Sequence, residues 1–396
     1  MKKSVWLIFG LFFLIAIEIL KVYFIMPFPG SQQSQSISFA YFLHNNIWWL
    51  RIAGIVIIVG PLLNALSKGR VWQKTLLVLI ILLYGFVYYL FNFRFLADKM
   101  FKQPQHKLFV PAPSDTTRKD KLILGVIINN RARAYPIDII GYHHHIKDTL
   151  SQQTILVTYC TVCRTGRVFS PFVNGKEETF RLVGMDHFNA MLEDATTKSW
   201  WQQATGQAIS GKLKGQQLME LPSAQMSLRD WLILYPQSEV MQPDTLFSKQ
   251  YAELKGYDEG TIEGKLEHRD SASWQFKSWV VGISYNKQDK AYDWNTLVKQ
   301  KLIEDSIQGA SLLITIEDNY KTFYALNRKL NNRNFNFIQS GTVGQLEDLQ
   351  THSIWKPNGT CLSGPMAGQR LQPVQAYQEF WHSWKQFHPN TIVYKN

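Results

Sequence analysis

The stretch that decides the fold is LILGVIINNRARAYP, residues 122–136, because the chain repeats it in altered form as VVGISYNKQDKAYD, residues 280–293. Gly125 corresponds to Gly282 and Tyr135 to Tyr292, and both pairs are 157 positions apart. A constant offset between similar segments indicates a duplicated unit. The sequence therefore predicts two copies of one structural unit.

The similarity between the copies resumes after a short deletion. The further matches are Ser199-Trp200-Trp201 with Ser353-Ile354-Trp355, Ser210-Gly211 with Ser363-Gly364, Trp231 with Trp384, and Tyr235-Pro236 with His388-Pro389. We therefore expect a first repeat over residues 122–241 and a second repeat over residues 279–396. The polar, glycine-containing segment 242–278 is expected to be a linker or an insertion between them.

Each copy begins with short runs rich in β-branched residues, which predict strands near 123–128, 154–159 and 167–172 in the first copy. Each copy ends with a helix-like stretch. In the second copy, residues 374–387 place aromatic side chains at helical spacing, which predicts a helix with an inward aromatic face. The predicted fold class is an α+β, β-rich soluble domain made of two homologous repeats.

Cys160 and Cys163 form a Cys-x-x-Cys motif that only the first repeat carries; Glu317 and Tyr320 replace these residues in the second. The second copy has Asp-Asn, a turn signal, at the corresponding place. The motif is therefore predicted to lie in a strand-turn-strand segment. This argues against a thioredoxin-like site, in which a helix amino terminus lowers the thiol pKa.

Side chains that bind metals lie near this motif in the sequence. The candidate metal or redox residues are Cys160, Cys163, His143, His187 and Met191. Thiolate, imidazole and thioether ligands together suit copper(I), whereas a structural zinc site needs four ligands and the only further thiol is Cys361. The first functional hypothesis is an extracytoplasmic site that binds copper or zinc, or that performs thiol-redox chemistry.

Two other functions fit the same residues. The chain could be a non-catalytic binding or scaffold module, with Cys160 and Cys163 as a structural disulfide or a vestige and with aromatic clefts as the binding surface. If the other candidate residues have no function, the three adjacent histidines lie in an exposed loop and Met191 fills the core. Alternatively, it could be a Cys-nucleophile hydrolase or transferase with His143 or His187 as the base, although no hydrolase signature is present. The sequence does not decide whether the chain is an enzyme.

The motifs resemble those of a prokaryotic family of unknown function, DUF3179. The matching stretches are residues 158–163, 184–191, 199–206 and 211–215. The resemblance covers nearly all of residues 122–394 but implies no established reaction. Members commonly have a His followed by an acidic residue before the Cys pair; His143 matches this position, and His144 replaces the acid.

Three apolar segments precede the repeats, at about 5–25, 47–66 and 75–93, and each approaches the about 20 residues that cross a bilayer. We expect residues 1–95 to form a transmembrane anchor in the lipid bilayer and residues 96–121 to form a linker. Glu18 and Lys21 are spaced to pair on one helix face, and Arg51 is expected to reach the headgroups. The first segment could also be a signal peptide, but no small-x-small cleavage site follows it.

The charge is concentrated in the anchor and the first part of the linker, since the chain's net charge is +12 and residues before Leu108 include eleven Lys or Arg and two acids. Such charges orient membrane helices, so nucleic-acid binding is not expected. The basic loop 67–74 predicts a cytoplasmic side, which places the soluble domain outside a cytoplasmic (inner) membrane. No nucleotide-binding or dinucleotide-binding motif occurs, so no such cofactor is implied.

Overall fold

The structure is a computed structural model that describes residues 2–395. The chain forms two compact units: Met1–Lys102 with Gly175–Gln217, and Gln103–Asn174 with Leu218–Asn396. We call the first the anchor unit, because it contains the three apolar helices, and the second the repeat unit, because it contains most of the two predicted repeats. The α-helices are α1 Lys2–Tyr23, α2 Ile37–Lys68, α3 Val71–Tyr89, α4 Ala97–Met100, α5 Ile137–His143, α6 Leu228–Leu234, α7 Ser248–Glu253, α8 Trp294–Gln300 and α9 Trp381–Phe387.

The strands are short, as expected for a chain with many turns. They are β1 Leu108–Pro111, β2 Leu122–Ile128, β3 Arg131–Pro136, β4 His145–Leu150, β5 Gln153–Cys160, β6 Thr165–Phe169, β7 Phe172–Val173, β8 Lys176–Glu177, β9 Phe180–Asp186, β10 Asn189–Asp194, β11 Trp200–Gln202, β12 Ala208–Ser210, β13 Ser223–Ser227, β14 Glu239–Gln242, β15 Trp279–Tyr285, β16 Gln288–Asp293, β17 Leu302–Ile307, β18 Ala310–Ile316, β19 Phe323–Asn327, β20 Lys329–Leu330, β21 Arg333–Asn334, β22 Phe337–Gln339, β23 Leu346–Asp348, β24 Ile354–Trp355, β25 Cys361–Ser363, β26 Gln372–Pro373, β27 Tyr377–Phe380 and β28 Ile392–Val393.

The three apolar amino-terminal helices are confirmed. Val5–Tyr23, Ile37–Lys68 and Val71–Arg94 are long and apolar enough to cross a membrane. The second helix begins ten residues before the predicted position 47. Its first turns carry Tyr41 and His44, whose rings pack edge-on against Trp200 of β11, so the helix continues beyond the apolar stretch.

The expectation that Arg51 reaches the headgroups was wrong. The Arg51 side chain is buried and donates hydrogen bonds to both carboxylate oxygens of Glu18, at 2.6 and 2.9 Å. Lys21 pairs with the same carboxylate at 2.8 Å, as its spacing predicted. A buried guanidinium is stabilised by this bidentate contact, which an outward-pointing side chain would lose.

The anchor unit also contains an antiparallel sheet in the order β12-β11-β10-β9. The β9–β10 hairpin packs against the region that follows α1: the Met185 amide donates to the Ile25 carbonyl at 2.8 Å, and the Phe188 amide donates to the Gln32 side chain at 3.1 Å. Residues 175–217 are thereby joined to the apolar helices within one unit.

The repeat unit is built from several small sheets. Two of them have the strand orders β1-β14-β3-β2-β13 and β27-β15-β16-β28, in which β14 runs parallel to β3 and β28 runs parallel to β16. The remaining larger sheets are β4-β5-β6, β17-β18-β19-β26 and β22-β23-β24-β25. The predicted β-rich region is confirmed.

The predicted helix over residues 374–387 is wrong in its first half. Tyr377–Phe380 forms β27, which pairs with β15 through residues such as Phe380 opposite Trp279, and the helix α9 begins only at Trp381. Strand pairing satisfies the hydrogen-bonding groups of the main chain in this segment. The helical spacing of its aromatic residues arises by chance, because a short strand is followed directly by a short helix.

Candidate functional site

The Cys-x-x-Cys motif lies on the turn between β5 and β6. β5 ends at Cys160, which pairs with Thr165, the first residue of β6. Arg164 has a φ of +56°, and its amide donates to the Thr161 carbonyl at 3.3 Å, which closes the turn. The predicted strand-turn-strand segment is therefore confirmed, and no helix begins at either cysteine.

The two thiols of this turn are buried and close together. Cys160 and Cys163 have no exposed surface, and neither forms a disulfide. Burial raises the pKa of the Cys163 thiol well above its usual range, and a hydrogen bond with the Cys160 side chain raises it further. The positive charge of Lys277 and a hydrogen bond with Ser383 act in the opposite direction.

Lys277 is a buried cation beside the turn. Its Nζ donates to the Val162 carbonyl at 2.5 Å and lies 3.1 Å from Nε2 of His382. Burial lowers the pKa of Lys277, while the two cysteines favour its charged form. Burial and the nearby ammonium lower the pKa of His382 to about 3, so this imidazole is neutral at physiological pH.

A two-segment cover lies over the turn, formed by residues 276–278 and 380–383. The Phe380 amide donates to the Cys163 carbonyl at 3.0 Å, and the His382 amide donates to the Phe276 carbonyl at 3.0 Å. The Phe276 ring stacks on His382 with 4.2 Å between ring centroids and is 53% exposed. The thiols are therefore separated from solvent by these two short segments.

Arg164, which follows Cys163, is held by neutral acceptors. Its guanidinium donates to the Gln378 side chain at 3.0 Å and to the Tyr257 carbonyl at 3.2 Å. It also lies over the Trp279 ring at 3.9 Å, and Arg269 lies over the same ring at 4.2 Å. This indole is thus in contact with two guanidinium groups, a favourable cation–π arrangement.

The three adjacent histidines are buried, so the alternative of an exposed loop was wrong. His143 ends α5, and its Nε2 lies 2.7 Å from the Tyr251 hydroxyl. His144 has a φ of +62°, and its carbonyl accepts from the Tyr159 amide at 2.8 Å, which fixes the end of α5 beside β5. His145 begins β4 opposite Thr158. Burial lowers the pKa of His144 to about 4.

His187 and Met191 belong to the anchor unit, whereas the two cysteines and His143 belong to the repeat unit. His187 lies in the β9–β10 turn, and its Nδ1 is 2.6 Å from the Asp186 carboxylate, which raises the His187 pKa. Met191 is fully buried in β10 opposite Gly184 and Gln202. The five candidate residues are therefore divided between the two units.

The described part of the chain, residues 2–395, contains no group of three or more His, Cys, Asp or Glu side chains that could hold a metal ion. The polar groups that surround the thiols are Lys277, His382 and Ser383, which the sequence did not indicate. They come from the predicted linker and from the predicted second repeat, more than a hundred positions from the motif. No short motif could have pointed to them.

Comparison with known proteins identifies one family. The profile of the family described as "Protein of unknown function (DUF3179)" matches residues 104–391. This match covers the strands that carry the cysteine turn and its cover, and it confirms the resemblance drawn from the motifs. No curated protein and no solved structure matches the chain.

Proposed function

The chain belongs to the DUF3179 family, and we propose that it is a membrane-anchored thiol-redox protein whose reacting groups are Cys160 and Cys163. The observation that carries this proposal is the hydrogen-bonded contact between two thiols on one tight turn, beside the Lys277 ammonium. Two sulfurs in contact can form a disulfide with little movement of the backbone. A metal site would need further ligands, so dithiol–disulfide chemistry is the better-supported form of the hypothesis.

The oxidant would be a disulfide on a partner molecule. The thiolate of one cysteine attacks a partner sulfur, which forms a mixed disulfide and releases one partner thiolate. The second cysteine then attacks its neighbour in the mixed disulfide, closes the Cys160–Cys163 bond and releases the other partner thiolate. The two protons lost by the cysteines leave with the two partner thiols, so atoms and electrons balance.

Burial controls when this exchange can occur. The raised pKa of Cys163 keeps the covered thiol protonated, and thiols in that form are poor nucleophiles. Displacement of residues 380–383, the part of the cover that does not carry Lys277, would hydrate the thiols and leave the Lys277 charge beside them. The proposed site is therefore a buried thiol pair that reacts only after the residues that cover it open locally.

The test is a redox titration of the full-length protein in its membrane, followed by alkylation of thiols and mass analysis. We expect Cys160 and Cys163 to convert together between dithiol and disulfide at one potential, and Cys160→Ser to abolish the transition. Cys361→Ser, which removes the buried thiol of the second repeat, is the matched control and should leave the transition unchanged. Persistence of both thiols at all potentials would overturn the proposal.

Metal analysis of the same anaerobically purified protein separates the alternatives. The redox proposal expects no stoichiometric metal. One copper or zinc per chain that is lost in both Cys160→Ser and His143→Gln would replace thiol redox by the metal-binding function. Neither a metal nor a redox transition would favour a binding module in which the cysteines contribute only to packing.

The soluble part is proposed to consist of two homologous repeats, and equivalent contacts support this. Tyr135 donates to Asp148 at 2.6 Å, and Tyr292 donates to Asp305 at 3.0 Å. The strand sets β13-β2-β3-β14 and β27-β15-β16-β28 have the same order, including one parallel pair each. Only the first repeat keeps thiols at the β5–β6 turn, as expected if one copy retained chemistry.

The soluble part is further proposed to face the outside of a cytoplasmic membrane. Lys68, the last residue of α2, and Arg70 lie at the connection between α2 and α3, whereas residues 24–36 between α1 and α2 contain no Lys or Arg. Loops rich in Lys and Arg face the cytoplasm, so this distribution favours a soluble part on the external side of the membrane. An extracytoplasmic location would also expose the thiol pair to disulfide-forming partners.

A further inference from the structure

A second candidate site is a cavity of about 350 Å³ in the repeat unit. Its apolar walls come from both predicted repeats. The principal wall residues are Met226, Trp231, Leu234, Phe323, Leu326 and Val374. A volume of this size lies at the lower end of the range of small-molecule sites, roughly 300–1,000 Å³. We call it the Trp231 cavity.

A few polar side chains interrupt these apolar walls. They are Gln225 and Asn358, which are nearly buried, and Arg370, which is exposed at the rim. Apolar walls with a small number of placed polar groups are the usual composition of a ligand site. The polar groups would fix the orientation of a ligand whose body fills the apolar part.

Arg370 is the only cation among the lining residues of the cavity, and its side chain is exposed. Arg167 of the same unit, by contrast, pairs with Glu379 at 2.5 Å. Glu317, an acid beside the cavity, is engaged by a hydrogen bond with the lining residue Tyr324. The exposed Arg370 guanidinium is therefore accessible to an anion from outside the chain.

We propose that the Trp231 cavity binds an organic carboxylate with an apolar body, whose carboxylate is held by Arg370. The planar guanidinium matches a carboxylate in a bidentate contact, and the apolar body would bury surface against Trp231 and Phe323. This assignment does not depend on the thiol-redox proposal, because none of the cavity residues belongs to the cysteine turn or its cover.

The cavity is nevertheless connected to the cysteine turn. Gln225 donates to the Gln378 side chain at 2.7 Å, and the same Gln378 oxygen accepts from Arg164 at 3.0 Å. A ligand that moved Gln225 would therefore alter the contacts of the residue that follows Cys163. Ligand binding in the cavity can affect the thiol turn through these hydrogen bonds.

The experiment uses the full-length chain in lipid nanodiscs and three probes of one shape: naphthalene-2-carboxylate, its neutral carboxamide and the cationic 2-(aminomethyl)naphthalene. Binding is measured by calorimetry against empty nanodiscs. We expect the carboxylate to bind about tenfold more tightly than the carboxamide, because a charge-assisted contact to Arg370 is worth about this factor. The amine should bind most weakly.

Two variants locate the site. Arg370→Gln should remove the preference for the carboxylate while the carboxamide affinity stays the same, and Ala224→Phe should fill the cavity and abolish binding of all probes. Arg333→Gln, at an exposed arginine outside the cavity, is the matched control and should behave as the wild type. A thermal melt shows whether Ala224→Phe is folded.

The proposal is overturned if none of the probes binds, if acid and amide bind equally to the wild type, or if Arg370→Gln keeps the preference. The redox transition of Cys160 and Cys163 is recorded on the same samples. Carboxylate binding without a redox transition would support the cavity and refute the proposed function, and the reverse result would do the opposite.

Discussion

The carboxylate of Asp348 accepts a hydrogen bond from the indole Nε1 of Trp355 at 2.8 Å. The same carboxylate accepts from the Thr351 amide at 2.6 Å and from the Ser353 amide at 3.2 Å. In the anchor unit, Asp194 accepts from the indole of Trp201 at 2.9 Å in the same manner. One short pattern, Asp-x-x-Thr-x-Ser-x-Trp, therefore builds the same turn twice and fixes a buried tryptophan to it each time.

Asp348→Ala should destabilise the repeat unit by about 3 kcal/mol or more. The substitution leaves the buried Trp355 indole and two turn amides without their acceptor, and each lost bond of this kind costs about 1–3 kcal/mol. Thermal unfolding of the full-length protein measures the loss. Asp318→Ala, which removes a half-exposed carboxylate, is the control, and an equal effect of both variants would contradict the prediction.

Gly282→Ala should destabilise the repeat unit, because a Cβ atom there would lie 2.2 Å from the Trp384 ring. Overpacking of this kind costs about 1–3 kcal/mol. Gly125 has the same relationship to Trp231, at 2.3 Å, so Gly125→Ala should behave similarly. Gly341→Ala has open space around the added methyl group and serves as the control in denaturant unfolding; a neutral Gly282→Ala would refute the packing argument.

Acid should destabilise the repeat unit through His144, whose pKa burial lowers to about 4. The His144 side chain binds a proton near pH 6.5 in the unfolded state and only near pH 4 in the folded state. Its contribution to the free energy of unfolding therefore falls as the pH drops through this window and is constant above it. The loss is on the order of 3 kcal/mol. His144→Gln should reduce the slope of the unfolding free energy against pH between 6.5 and 4, and the part that remains is expected from His382, whose pKa burial lowers to about 3. His352→Gln, at a largely exposed histidine, should retain the slope.

Local patterns predicted much of the fold. The apolar runs indicated the three membrane-spanning candidates, and the Asp-Asn turn signal in the predicted second copy indicated that Cys160 and Cys163 lie between strands. Periodicity failed for residues 374–387, where a four-residue strand is followed directly by a seven-residue helix. Elements this short do not fill the window over which a helical period can be recognised.

The surroundings of the candidate site could be predicted only in part. The cysteines and the adjacent histidines were recognisable because thiols and imidazoles are chemically distinctive. Lys277, His382 and Gln378 were not, since their position beside the turn is set by the pairing of β27 with β15 and not by any local spacing. Arg51 was misplaced for a similar reason: its partner, Glu18, is on another helix.

Lys277→Gln should slow alkylation of the cysteine pair. The ammonium lowers the pKa of Cys163 against the effect of burial, so its removal raises that pKa and reduces the thiolate fraction at a given pH. The rate of iodoacetamide labelling should fall several-fold at pH 8, and its pH profile should move to higher pH. Lys385→Gln on the partly exposed side of α9 is the control. Faster labelling in Lys277→Gln would show that the lysine acts mainly by holding the cover closed.

Glu18 and Arg51 should stabilise the helices only when both side chains are present. Glu18→Leu leaves the buried Arg51 guanidinium without its bidentate partner, and breaking such a buried pair costs about 3–5 kcal/mol. Replacing both residues by leucine removes the uncompensated Arg51 charge and leaves only the Lys21 ammonium without the Glu18 carboxylate, so the Glu18→Leu, Arg51→Leu double variant should be more stable than Glu18→Leu alone. Unfolding in detergent micelles of the wild type, both single variants and the double variant gives the coupling energy. A double variant whose loss equals the sum of the two single losses would mean that the two side chains do not depend on each other.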